Sequence, residues 1–250
     1  MISLDGRHLE TVAWPGRAPT LVLLHEGLGC IALWRDVPER LAAATGLGVF
    51  AYSRFGYGHS DPVTLPRPMT YMHEEALEVL PRVLDAAGIE RAILVGHSDG
   101  GSIAAIYAGA VHDERIAGIV LIAAHFFVEA LNIASIARIR ADYATTDLHS
   151  RMARHHANVD IAFRGWNDAW LDPRFAEFDI TEYLPNIKVP VLALQGADDP
   201  YGTEAQLQVL ERHVRSPLRI RLIEGARHAP HLDAKDATLA EIAAFAQSGT

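Results

Sequence analysis

Five residues near the middle of the chain, Gly96-His97-Ser98-Asp99-Gly100, set a serine between two glycines where the apolar run "AILVGHS" gives way to the helical pattern "SIAAIYAGAV". A hydroxyl is a weak nucleophile, and it becomes a strong one when a sharp strand-to-helix turn holds it beside a base. Small residues two positions away on each side let backbone approach closely. The helix that follows directs its N-terminal dipole at the place where negative charge would develop, and the backbone N–H of Asp99 is placed to donate to an oxyanion. The glycine frame selects Ser98 over Asp99 as nucleophile, which argues against chemistry through an aspartyl ester.

Such a serine needs a base, and the base needs an orienting carboxylate. Two late strands end in suitable groups: "VPVLALQG" runs into "ADDPYGT", with Asp198 and Asp199, and "LRIRLIEG" runs into "ARHAPHLD", with His228 and His231. The residues alone leave both pairs open. The unused acid is expected to cap the helix starting near Thr203, and the unused histidine to pack or hydrogen-bond near the pocket mouth. His228, His231 and Asp233 include metal-ligand types, but a metal there leaves Ser98 and its turn without a purpose; neither a metal nor a cofactor is expected. The lone cysteine, Cys30, sits in an apolar turn and reads as a packed side chain. His155 and His156, adjacent in a helical pattern, read as polar residues of the surface or the cap.

The elements that must position these groups alternate. "TLVLLHE", "GVFAYSR", "AILVGHS", "GIVLIAA", "VPVLALQG" and "LRIRLIEG" are continuous apolar runs, the signature of parallel strands covered on both faces. Between them "WRDVPERLAAATG", "MHEEALEVLPRVLDAAG" and "TEAQLQVLERHV" carry apolar residues at helical spacing, and Pro81 is expected to kink its helix or mark its start. Residues 126–187 lack a convincing strand. There "VEALNIASIARIRADYA" and "DLHSRMARHHANVDIAF" read as helices and "RGWNDAWLDPRF" as turns. This stretch holds five of the eight Phe and two of the four Trp, enough for a small core of its own or for a pocket lining. The expected organisation is an α/β core of residues 1–125 and 188–250 with a helical cap at 126–187.

The formal charge of −9 argues against nucleic acid and anionic membrane surfaces as partners. No apolar stretch reaches the ~18 residues of a membrane span, and the first residues carry no signal-peptide pattern. A cytoplasmic protein acting on a small molecule is expected; its oligomeric state is left open.

Together these motifs resemble the α/β-hydrolase family, and the resemblance extends along the whole chain. It implies a mostly parallel sheet flanked by helices, with a helical cap inserted after the sixth sheet strand. Family members place the acid at the fourth position of G-x-x-D, here Asp199, and the base after a small residue, here His228. Their H-G-x-G turn, in which the third residue donates to the oxyanion, aligns with "HEGLG" and makes Gly27 the second donor beside Asp99. "AYSRFGYGHSD" resembles the family's D-x-x-G-x-G-x-S turn, with Ser53 in place of Asp and with Phe55 and Tyr57 near enough to reach the pocket.

Glu26 stands where the family usually has glycine. One orientation turns it away from the pocket, bonded to His25, Arg54 or the serine turn; the other faces it to a cationic or hydroxyl group of the substrate, as in aminopeptidases of similar fold. Glu26, Leu28, Phe126 and Trp166 are the expected substrate-contacting residues. The resemblance implies a serine hydrolase of small apolar or aromatic esters or lactones. The alternatives are a C–C hydrolase of ring-fission products, an aminopeptidase-like enzyme, or a ligand sensor with negligible turnover.

Overall fold

Continuous apolar runs became central strands. In the computed structural model, which describes residues 1–248, the chain begins with β1 (Ile2–Leu4) and β2 (Arg7–Leu9), which pair only with each other. The remaining strands are β3 (Thr11–Trp14), β4 (Arg17–Leu24), β5 (Leu47–Tyr52), β6 (Ala92–His97), β7 (Ile116–Ile122), β8 (Val191–Gly196) and β9 (Leu218–Ile223). They form one seven-stranded sheet in the order β3-β5-β4-β6-β7-β8-β9, parallel except for the edge strand β3. Every residue of β5, β6 and β8 is buried, as strands covered on both faces require.

The helices are α1 (Val37–Thr45), α2 (Tyr71–Glu74), α3 (Leu80–Ala86), α4 (Asp99–Ala110), α5 (Ala130–Thr145), α6 (Leu148–Met152), α7 (Val159–Trp170), α8 (Ala205–His213), α9 (Pro230–Asp233) and α10 (Lys235–Gln247). Leu41 of α1 and Leu239, Ile242 and Phe245 of α10 cover one face of the sheet; α2, α3, α4 and α8 cover the other. Pro81 stands in the first turn of α3, directly after a π turn over Glu75–Val79 that joins α2 to α3. Having no N–H, proline gives nothing back to the preceding turn, and the chain widens just ahead of it.

Residues 126–187 lie between β7 and β8 and carry α5 to α7. The insertion therefore follows the fifth strand of the sheet and not the sixth: β3 to β7 precede it, and β1 and β2 stand outside the sheet. Its ends meet in a single antiparallel bridge, Phe127 with Asp179, so it departs and returns at one place. Trp166 lies in the last turns of α7, where a turn is expected from sequence; Phe163, Trp166 and Trp170 fall on one buried face of that helix.

Register sets the site. Leu24 pairs with Gly96, His97 with Ile122, Ile122 with Leu194, and Gly196 with Ile223. Five parallel strands thus end level, and the residues that follow each of them collect at the carboxyl edge of the sheet, where open α/β folds bind ligands.

Candidate active site

Ser98 occupies the turn between β6 and α4 with φ 52° and ψ −119°, a conformation that a side chain tolerates only when its surroundings enforce it. The flanking glycines permit the enforcement: a Cβ at Gly96 would collide with the backbone of Gly100, and one at Gly100 with the carbonyl of Leu24. Ser98 Oγ lies 3.0 Å from His228 Nε2, and His228 Nδ1 lies 3.0 Å from both oxygens of Asp199. Burial by itself would raise the Asp199 carboxyl. The hydrogen bond and charge of His228, with the Tyr201 N–H at 2.8 Å, outweigh it and hold the group below its ordinary range.

Asp198 is not part of this chain of bonds. Its backbone N–H donates to Ala226 O, and its side chain does not cap α8; the residue before that helix, Glu204, has no side-chain cap, while Thr203 is held by Glu129. His231 is buried against Trp34 and His97, 5.0 and 4.5 Å between ring centres, and Asp233 accepts from the N–H of Arg227. No cluster of three metal-ligating side chains occurs among the described residues.

The turn after β4 is held from behind. Arg54, 1% exposed, donates from Nη1 to His25 O and from Nη2 to Glu26 O at 3.0 Å. Its backbone N–H donates to His25 Nε2 at 3.0 Å, which leaves His25 Nδ1–H to donate to Glu26 O at 2.7 Å. Glu26 O also accepts the N–H of Gly29 at 3.1 Å. Arg54 Nη2 approaches Asp99 Oδ2 to 3.8 Å, and Tyr71 donates to the same oxygen at 2.6 Å while accepting from Trp170 Nε1 at 3.0 Å. Burial pushes the Asp99 carboxyl up against the pull of Arg54 and Tyr71. The backbone N–H groups of Gly27 and Asp99 are not engaged in the hydrogen bonds of the described residues. Trp166 lies directly over Gly27, where any Cβ would strike the indole.

Glu26 combines both orientations expected of it. Its side chain lines the cavity beside Ser98, so it does not point away, yet Oε2 stands 3.5 Å from Nδ1 of His97 in the serine turn. Burial opposes its ionisation, and the bond and charge of His97 prevail, holding its carboxyl below the ordinary value.

The cavity measures about 170 Å³ and is lined by Glu26, Gly27, Leu28, Ser98, Asp99 and His228 with His125, Ile136, Trp166, Trp170 and Tyr201. Phe126 is absent from it: His125 takes the cavity side, and Phe126 is turned into the core, its N–H bonded to Gln206. Phe55 and Tyr57 also stay behind the site, the first under Arg7 and the second against His25 and Arg54. Burial pushes the Cys30 thiol up to about 12, so it stays protonated and unreactive. A larger cleft of about 220 Å³, at the far end of α4 around Val111 and Lys188, holds none of these groups.

Comparison with known proteins identifies the fold. The sequence profile described as the alpha/beta hydrolase fold matches residues 19–146. The chain belongs to the α/β-hydrolase family. As an α/β-hydrolase it is similar over 87% of its length to a proline iminopeptidase of Lactobacillus helveticus, at 24% identity and over 86% of that protein. Among solved structures, a proline iminopeptidase of Mycobacterium smegmatis superposes with a TM-score of 0.80 at 18% identity, covering 99% of this chain and 97% of that one. An esterase of Exiguobacterium antarcticum superposes with a TM-score of 0.76 at 20% identity, covering 98% and 97%. At such identities the superpositions establish the fold.

Four residues lining the cavity of this hydrolase were not singled out from sequence: His125, Ile136, Trp170 and Tyr201. His125 stands three residues past the end of β7, at the same edge of the sheet as the others, and that placement is the signal that finds it. Its Nδ1 faces Asn132 Nδ2 at 3.3 Å and its ring stacks on His228, 5.5 Å between centres. Burial first, and then the neighbouring His228, lower its pKa to about 3. His156 is the other surprise. It is buried, with Nδ1 accepting from the N–H of Gly58 at 3.0 Å and Nε2–H donating to Leu28 O at 3.1 Å, so of the two places expected for it, surface or cap, it takes the cap and ties the insertion to two core turns. Among the described residues no helix is long and apolar enough to cross a membrane.

Proposed function

We propose that this α/β-hydrolase is a serine hydrolase acting on small apolar or aromatic carboxylic esters or lactones through an acyl-enzyme. The observation that carries this reading is the hydrogen-bonded chain from Ser98 through His228 to Asp199, opening on a small cavity with Leu28, Ile136, Trp166 and Trp170 in its wall. In this scheme His228 Nε2 takes the Ser98 proton as Oγ attacks the carbonyl carbon. Asp199 accepts Nδ1–H and stabilises the imidazolium, and the amides of Gly27 and Asp99 receive the oxyanion. His228 then protonates the leaving alcohol, and water, activated by the same base, releases the acid. The scheme calls for no cofactor and no metal. At about 170 Å³ the cavity lies below the roughly 300–1,000 Å³ of sites for drug-sized ligands, which favours short or single-ring acyl groups. A cytoplasmic location, with a small molecule and not nucleic acid or membrane as partner, completes the reading.

The test is hydrolysis of p-nitrophenyl acetate, butyrate and phenylacetate, with capture of a fluorophosphonate probe. Wild type turns over at least one ester and takes the probe. Ser98→Ala takes none and loses on the order of 10⁴-fold or more in kcat. Turnover confined to dienoate ring-fission products would instead make the protein a C–C hydrolase, and a chain that neither binds the probe nor turns over any ester would be a sensor.

A second reading is favoured by the Glu26 carboxylate on the cavity wall: a substrate with a free amine near its scissile bond, as the name of the Lactobacillus helveticus relative suggests. Glu26→Gln then lowers kcat/KM for aminoacyl p-nitroanilides at least tenfold while leaving neutral esters unchanged. Equal activity of the two forms on the anilides removes this reading.

A further inference from the structure

A trans peptide is planar, with its C=O and N–H pointing to opposite sides. The Glu26–Gly27 peptide is gripped at its oxygen three times, by Arg54 Nη2 at 3.0 Å, His25 Nδ1–H at 2.7 Å and Gly29 N–H at 3.1 Å. All three donors stand on the side of the turn away from the cavity, so the Gly27 N–H is driven to the cavity side. Arg54 also holds the preceding carbonyl, His25 O, which fixes two successive peptide planes with one rigid, planar guanidinium. The same group comes within 3.8 Å of Asp99, the residue after Ser98. Arg54 thus touches both turns, at the ends of β4 and β6, from behind. A buried arginine is a costly group to retain, since its charge must be desolvated; here it balances the buried carboxylates of Asp99 and Glu75 while its donors go to the two carbonyls.

We propose that Arg54 is the positioning residue of the oxyanion hole: its guanidinium sets the direction of the Gly27 N–H and couples the turn that carries it to the Ser98–Asp99 turn. This rests on the reading of Gly27 and Asp99 as oxyanion donors. Donation into the Glu26 carbonyl polarises that peptide and strengthens its N–H as a donor, so Arg54 contributes to binding the oxyanion without touching substrate. His25 follows from the same logic. With Nε2 occupied by the Arg54 N–H, its tautomer is fixed and its Nδ1–H is committed to the Glu26 carbonyl.

The experiment compares wild type, Arg54→Met and Arg54→Lys with an ester substrate, with an alkylboronic acid that forms a tetrahedral adduct on Ser98, and with the product acid as a ground-state ligand. Circular dichroism and fluorophosphonate titration count folded, competent molecules. The expected result for Arg54→Met is a fall in kcat on the order of 10²-fold, the scale of one lost oxyanion donor, with KM within threefold. The boronate inhibition constant rises in parallel and product-acid affinity stays unchanged. Arg54→Lys, whose ammonium reaches one carbonyl but not both, falls about tenfold, and it carries the test alone if the methionine variant does not fold. A folded Arg54→Met or Arg54→Lys with kcat within threefold of wild type overturns the proposal. So does an equal loss in kcat, boronate and product-acid binding, the pattern of general loosening. Absence of Ser98-dependent ester turnover in wild type would overturn the functional reading instead, and is seen before any Arg54 variant is made.

Discussion

His97 donates its Nε2 proton to the backbone carbonyl of His228, 2.8 Å away, so the residue before Ser98 holds the loop that carries the base. Its other nitrogen faces Glu26, which makes the His97 ring the meeting point of three turns. His97→Leu should therefore cost more than packing. The expected outcome is a fall in kcat of about tenfold, together with about 1–2 kcal/mol of stability from the unpaired carbonyl. His97→Gln, whose amide reaches the same carbonyl, should recover most of both. Steady-state kinetics and urea unfolding of the two variants check this.

Gly27 has a steric reason to be glycine as well as a catalytic one. A methyl group there would strike the Trp166 indole, so Gly27→Ala must move either the turn or the ring. A loss of about 10² in kcat/KM is expected. If the collision is the cause, removing the ring in Gly27→Ala/Trp166→Ala restores part of the activity, and the double variant outperforms the product of the two single effects.

Far from the site, Asp113 accepts from three nitrogens of Arg115, the backbone N–H, Nε and Nη2, the nearest at 2.7 Å, and from the hydroxyl of Tyr107. Burial resists its ionisation, but these bonds prevail and lower its pKa to about 2. A carboxyl depressed on folding contributes stability that is full above its unfolded value, about 4, and disappears as pH falls through the folded one. Asp113→Asn should thus cost about 2 kcal/mol at pH 7, and the difference from wild type should vanish between about pH 4 and pH 2. Thermal melts across that range decide it.

His156 bonds the insertion to Gly58 and Leu28. His156→Phe keeps the bulk of the ring and loses both bonds, leaving the Gly58 N–H and the Leu28 carbonyl without partners. About 2–3 kcal/mol of stability is expected to be lost, with new proteolytic cleavage confined to residues 126–187. Unchanged melting and unchanged digestion would show that the insertion is held by its apolar contacts alone.

The parts of this architecture legible in the sequence are those written locally. The glycine-framed serine, the apolar strand runs and the turn glycines each depend on neighbours within a few residues, and they gave the fold and Ser98's turn. Choosing Asp199 over Asp198 depends on which of two adjacent side chains a turn directs at His228, a question of backbone direction that composition does not record. His156 and Arg54 were opaque for the opposite reason: both are polar residues whose burial is produced by segments far away in sequence. Trp166 was named from sequence but placed in a turn; the apolar spacing through Phe163, Trp166 and Trp170 shows that the helix continues through it.

The bridge between Phe127 and Asp179 gives the insertion a narrow neck. Because the chain leaves and re-enters the sheet at one point, the spacing of β7 and β8 is indifferent to how much polypeptide lies between. Exchanging the segment beyond that neck for another of different length or lining would leave the strand ends in register, provided the new segment also supplies the bonds that Glu129, His156 and Trp170 make to the core. Such a chain lends itself to recombination: new specificities can be spliced in above an unchanged chemical floor.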